Sequence, residues 1–185
     1  VKNLLANFDI LNELNGVIVA PLVPIKNKIC YVLHNSLPYA SGGYATRSHG
    51  VAVALTGQGF NVQVVTRAGY PLDAKNTNVT TAEDTIIDGI SYHRILDPSI
   101  KNNKLNTYLY QQIKAYIDFF RLIRPAYVIS ASSFRHALPA TIAAKRLGIP
   151  CVYEVRGFWE ITRLSREPSF KQSKTYDYQR KMEAK

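Results

Sequence analysis

Apolar residues recur along this chain in two forms: short, dense runs of β-type residues and longer runs at helical spacing, which take turns from residue 28 onward. That alternation is the pattern of repeated βαβ units around a mostly parallel sheet. Residues 28–33 (KICYVL) predict the first strand, residues 44–58 a helix stopped by Gly57 and Gly59, and residues 62–66 (VQVVT) the second strand. The stretch 68–88 is rich in Asn, Thr, Asp and Pro and reads as a long surface excursion, after which residues 90–96 predict a third strand. In 105–123, Leu105, Leu109, Ile113, Tyr116, Phe120 and Ile123 share one helical face opposite Gln111, Lys114, Asp118 and Arg121. Pro125 ends that helix. Residues 127–130 (YVIS) predict a buried strand, 136–147 a small-residue helix with Pro139 in its first turns and Gly148 past its end, and 151–155 (CVYEV) a fifth strand. Residues 168–185 read as a polar helix.

Ahead of this repeat, Leu4, Leu5, Phe8, Leu11 and Leu14 predict a helix over 3–14, followed by a Pro21/Pro24 linker. Residues 1–27 are therefore expected to be an arm or linker, and 28–185 a Rossmann-like α/β domain whose sheet is doubly wound in the order 3-2-1-4-5. In such a sheet ligands bind beyond the carboxyl ends of the strands, where strand order reverses. The loops this selects are 34–43, 131–136 and 156–160.

Composition narrows the class. With 46% hydrophobic and 19% charged residues, the 185-residue chain can bury a real core, and no apolar run approaches the roughly 20 residues that cross a bilayer. Nor does a secretory leader open the chain, so a cytoplasmic protein is expected, with the inner membrane face open as a peripheral site. Cys30 and Cys151 fall in strands separated by one other, about two spacings of 4.8 Å, too far for a disulfide. A formal charge of +10 favours anionic partners: lipid, nucleic acid or phosphorylated substrates. Its scatter, without a dense basic run or a nucleic-acid-binding motif, argues against nucleic acid. The four histidines are too widely spaced to suggest a metal cluster, and no cofactor or metal is expected.

Gly42 and Gly43 precede the first helix, where a diphosphate could approach unpaired backbone N–H groups; the plainer reading is a turn needing positive φ. The chain lacks G-x-G-x-x-G, and the second strand ends in Thr66-Arg67 where a nicotinamide-binding fold would present a carboxylate, which disfavours a dehydrogenase. Tyr44, Arg47 and His49 lie in the first turns of that helix. Arg47 could fork onto a phosphate or remain a solvated cation, and His49 is better explained by packing. His34 and Asn35 end the first strand and His136 closes the loop after the fourth, all at the ligand-binding edge. The richest segment is Arg156-Gly157-Phe158-Trp159-Glu160, directly off the fifth strand. There Trp159 could cap the core and Arg156 could pair with Glu160 on the surface. Their place beyond a buried strand favours ligand contact instead, so that Arg156→Ala should lower activity more than stability.

Ser41-Gly42-Gly43-Tyr44-Ala45-Thr46-Arg47, followed at distance by the run from Leu147 to Glu160 ending in R-G-F-W-E, resembles the N-terminal domain of retaining glycosyltransferases of family 4, the group 1 transferases. The likeness covers residues 28–185. It implies one half of a GT-B fold, a hexosyltransferase-type enzyme of polysaccharide biosynthesis. Its substrates would be a nucleotide-diphosphate sugar and a saccharide or lipid-linked acceptor, it would need no metal, and contact with an anionic membrane is allowed. By the same resemblance Gly42 and Gly43 approach the donor diphosphate or transferred sugar, while Arg156 and Glu160 line the acceptor side. Tyr44, Arg47 and His136 complete the expected substrate-binding set, and no catalytic residue is assigned. Many members carry histidine where this chain has Arg156; an arginine cannot act as general base, so charge stabilisation or positioning is expected there. The donor-binding domain of the family has no counterpart before Lys185, so the chain is expected to be incomplete at its C-terminal end and inactive alone. The competing expectation is a Rossmann-like binding or interaction domain without catalysis.

Overall fold

The computed structural model describes residues 10, 12–13, 21–74 and 81–183. A six-stranded sheet runs through it in the order β3-β4-β2-β1-β5-β6, with β1 Ile25–Leu33, β2 Asn61–Thr66, β3 Asp84–Ile87, β4 Ile90–His93, β5 Pro125–Ala131 and β6 Cys151–Glu154. All neighbours are parallel except β3 and β4, which are antiparallel. The five strands expected from the pattern take their expected order, and the chain has the Rossmann-like α/β fold.

Period-two alternation in β1 explains the double winding. Cys30 and Val32 face a cluster with Val65, Val128 and the helices α2 (Leu105–Ile123) and α3 (Phe134–Arg146). Ile29, Tyr31 and Leu33 face the opposite side, where α1 (Gly43–Gly57) lays its small residue Ala52 against Val64 and Tyr92. On α2 the buried residues are Tyr108, Leu109, Gln112, Ile113, Tyr116, Phe119, Phe120 and Ile123: the stripe its spacing predicts, with Tyr108, Gln112 and Phe119 added and Leu105 only partly buried. Gln112 belongs there because Pro139 has no N–H to give the carbonyl four residues back. Gln112 Nε2 donates to that carbonyl, of Arg135, at 3.0 Å.

Two expectations need correction. The excursion 68–88 contains β3, joined to β4 by Asp88-Gly89 at φ 48° and 78°, the left-handed pair that a two-residue hairpin turn requires. The Asp-Gly signal was present in the chain but lay within a polar stretch. The boundary at residue 27 also falls inside β1, which begins at Ile25; Asn27 at φ 61° shifts the register against β5 and breaks the alternation there. The described part of the arm packs on the domain: Ile10 is fully buried beside Tyr108, Phe134 and Ile142, Glu13 pairs with Arg146, and Leu22 N–H donates to the Leu147 carbonyl. The helix expected over 3–14 lies largely outside the described residues.

Both cysteines are free. After β6 come α4 (Trp159–Leu164), a 3-10 turn (Pro168–Gln172) and α5 (Lys174–Glu183), in place of one continuous terminal helix. Glu183 of α5 fastens that end to the site: its carboxylate accepts the Phe134 N–H at the start of α3, at 3.1 Å, and the Tyr153 hydroxyl. Among the described residues no helix is long and apolar enough to cross a membrane.

Candidate functional site

The carboxyl ends of β1, β5 and β6 open onto a cleft of about 470 Å³. Tyr44 of α1 forms one side, Ser132 after β5 the floor, Arg156 and Gly157 the β6 exit, and Trp159, Thr162, Arg163 and Arg166 the far side. This is the edge the winding rule selects.

Arg156 organises the cleft wall, and its surroundings explain how. An arginine has five N–H donors. Here Nε donates to Glu154 Oε1 at 2.9 Å and Nη2 to Glu154 Oε2 at 3.0 Å. Nη1 donates to Ser48 Oγ at 2.6 Å and the Tyr44 carbonyl at 3.2 Å, and Nη2 also reaches the Tyr31 hydroxyl. With its side chain 6% exposed and every donor engaged, Arg156 ties β6 to β1 and to the first turns of α1. The surface pair with Glu160 does not form. The partner is Glu154, which also accepts the Tyr31 hydroxyl at 2.7 Å and Arg47 at 3.4 Å. Burial alone would raise the Glu154 carboxyl; hydrogen bonds from Arg156 and Tyr31 outweigh it and hold it below the usual carboxylate range. Neither Glu154 nor Tyr31 is among the residues that strand-end position selects, although a carboxylate closing an apolar strand (CVYE) is itself a signal.

Gly42 and Gly43 are exposed at the head of α1, and a Cβ on either would meet nothing within 4 Å. Gly42 sits at φ −68°, so positive φ does not explain the pair, and no side chain caps the helix. What glycine supplies here is an uncovered approach to the first N–H groups of α1. Arg47, 60% exposed, stands one turn further on. Tyr44 lies under the Arg156 guanidinium, its ring centroid 4.9 Å away, and its hydroxyl accepts the His34 N–H at 3.0 Å. Burial pushes the Tyr44 hydroxyl up to about 12.

His136 does not reach the cleft. It is fully buried, its Nε2–H donates to the Ala131 carbonyl at 2.6 Å, and burial, reinforced by His34, drives its pKa well below the ordinary range. Its ring lies 5.7 Å from that of His34. Burial first, then Arg67 and Arg135, lower His34 to about 4, so both imidazoles are neutral at pH 7. His49 is a packing residue, held by Tyr92 at 2.8 Å and Asp88 at 2.9 Å. Trp159 does not cap the core: it is 47% exposed in the cleft, edge-on to His34 at 5.4 Å. Glu160 turns inward behind it, 4% exposed. Among the described residues no group of His, Cys, Asp and Glu could hold a metal ion.

The family model of the glycosyl transferase 4-like domain matches residues 42–181, from the glycine pair into α5. The chain belongs to that family, and it is a glycosyltransferase domain. No curated protein matches it. Among solved structures it resembles two crystal structures of the C-terminal domain of a hydrogenase from Pyrococcus furiosus. Each is 12% identical and covers 75% of this chain, spanning 99% of its own length with a TM-score of 0.44 in one case and 100% with 0.45 in the other. At that distance nothing about this chain's chemistry follows from them.

Proposed function

We propose that this domain is the acceptor side of a retaining GT-B glycosyltransferase. It would work on a nucleotide-diphosphate sugar and a saccharide or lipid-linked acceptor in polysaccharide biosynthesis, as a hexosyltransferase without a required metal. The observation that carries this reading is the open cleft at the carboxyl edge of β1, β5 and β6, walled by Tyr44, Ser132, Gly157 and Trp159, in a chain of the glycosyl transferase 4-like family. Such a wall mixes an aromatic face with hydroxyl and backbone groups, which suits a sugar. In this reading the nucleotide is held by a second Rossmann-like domain facing the cleft, and the bare head of α1 at Gly42 and Gly43 meets the diphosphate or the transferred sugar.

Arg156 acts as a positioning residue. Its guanidinium holds Tyr44 and β6 in place, and its charge, balanced by Glu154, adds little net field to the cleft. Among the described residues the unpaired cation on the far side is Arg166, while Arg163 pairs with Glu167 at 2.9 Å. Beside them Phe158, Trp159 and Ile161 are about half exposed, a basic and apolar edge suited to a lipid-linked acceptor at the surface of an anionic cytoplasmic membrane.

The test uses the intact gene product that contains this chain. It is incubated with UDP-, GDP- and dTDP-hexoses in EDTA, with lipid extract as acceptor. Nucleoside diphosphate release and a glycosylated product are expected from one donor. Gly42→Ala should lower turnover at least tenfold without lowering the melting temperature, because its Cβ enters open space at an ordinary φ. Saccharide binding without turnover on any donor would replace this reading with that of a non-catalytic binding domain.

A further inference from the structure

Trp159 is a shared wall. Behind it, away from the open cleft, lies a pocket of about 90 Å³ bounded by His34, Arg135, Trp159, Glu160, Gln179 and Glu183. At about 30 Å³ per water, the space equals about three waters. It is too small for a nucleobase or a whole pyranose ring, and it matches one hydroxyl-bearing edge of a ring.

Its polar groups are unfinished. Glu160 Oε2 and His34 Nδ1 are both buried and have no hydrogen-bond partner among the described residues. The other carboxylate, Glu183, is already engaged by the Phe134 N–H and the Tyr153 hydroxyl, so the buried open valences are those of Glu160 and His34, with Arg135 and Gln179 on the pocket wall. Buried polar atoms without partners are destabilising, and two of them on the wall of one pocket call for a water or a ligand group to meet them. Their chemistry selects it. An anion would meet two carboxylates against one cation, the exposed Arg135, and an ammonium could satisfy Glu160 but only one tautomer of a neutral imidazole. A hydroxyl both donates and accepts, so it suits Glu160 and either tautomer of His34.

We propose that this pocket is the specificity site for the acceptor saccharide: a hydroxyl-bearing edge of the sugar passes Trp159 and is read by Glu160 and His34. The inference rests on the saccharide-acceptor reading above. It makes Glu160 a recognition group, held by the fold yet contributing no ion pair to it, and places the sugar's apolar face on the exposed side of the indole.

Trp159 is the only tryptophan of the chain, so its emission reports occupancy. The probes are the methyl glycosides of glucose, galactose and mannose, titrated to high millimolar concentration, with their monodeoxy analogues. A saturable change is expected with at least one glycoside. Removal of one hydroxyl should weaken binding about tenfold or more, as should Glu160→Leu. Glu160→Gln, which keeps the shape and an accepting oxygen, should stay within about threefold. Glu160→Leu should melt no lower than the parent, since it breaks no bond in the described structure. If glycosides bind but neither a deoxy analogue nor Glu160→Leu weakens them by more than about twofold, the pocket holds water only and the proposal fails, while the acceptor reading stands. If no glycoside changes the emission, both fail. Should Glu160→Leu not fold, the Glu160→Gln and deoxy-sugar arms decide.

Discussion

Replacing Arg156 by alanine removes five hydrogen bonds at once and separates Glu154 from its cation. Breaking a buried ion pair on one side typically destabilises by about 3–5 kcal/mol, mostly through the charge left behind. Glu154 is 25% exposed and keeps Tyr31 and Arg47, which places the expected loss at the low end, about 3 kcal/mol. For a domain of this size that is a fall in Tm of about 6–12 °C. The assay is urea unfolding at pH 7 followed by far-ultraviolet circular dichroism. Arg156→Lys should recover less than half of the loss, because one ammonium cannot span Glu154, Ser48 and the Tyr44 carbonyl together. The geometry thus adds a large stability loss to the expectation drawn from position alone, that activity would fall more than stability. A loss below about 1 kcal/mol for Arg156→Ala, with native dichroism, would refute the account of Arg156 as the tie between β6 and α1.

His34 is neutral in the fold and must protonate in the unfolded chain as pH falls from about 6.5 to about 4, so its contribution is present above pH 6.5 and lost towards pH 4. The amount is about 3 kcal/mol, and His34→Asn should flatten the fall in urea-unfolding stability between pH 7 and 4.5 relative to the parent. Gln112→Ala strands the Arg135 carbonyl that Pro139 leaves free, and calorimetry should show about 1–3 kcal/mol lost. Gly69→Ala should lower Tm clearly, since Gly69 sits at φ +83° with a virtual Cβ 2.9 Å from Ser99 Cα, whereas Gly43→Ala, in open space, should change it little.

The sheet was legible because its central strands β1 and β2 are largely buried on both faces and therefore read as dense apolar runs, as in KICYVL and VQVVT. β3 was not, because an edge strand covered on one side only mixes Asp84 and Thr85 with Ile86 and Ile87, and Ile86 remains exposed. Position along the strands was enough to name Tyr44, Arg156 and Glu160 as members of one edge. It could not say which way their side chains turn. Arg156 and Glu160 are four residues apart, a spacing that suits a helical ion pair, but α4 begins only at Trp159, so Arg156 is still extended and leans back over β6 onto Glu154. His136 was placed at the same edge by its loop, yet it is the third residue of α3 and points under the sheet end, onto the Ala131 carbonyl.

That difference in direction separates two kinds of polar group at one strand edge. Arg156, Glu154, Tyr31 and Ser48 satisfy one another, so their arrangement is complete without a ligand and they fix the position of Tyr44 and of the β6 exit. Glu160 Oε2 and His34 Nδ1 satisfy nothing in the described structure, although both are buried. Preorganisation needs the first kind and recognition needs the second, because a group already bonded to the protein gains nothing from a substrate. The satisfied network reaches Trp159 through the short segment from Arg156, and Trp159 stands between the cleft and the unsatisfied pair. A change in the network that tilts this segment should therefore alter which sugar is accepted before it alters whether the domain folds, and Arg47→Ala, which touches only the exposed edge of Glu154, is the mildest such change.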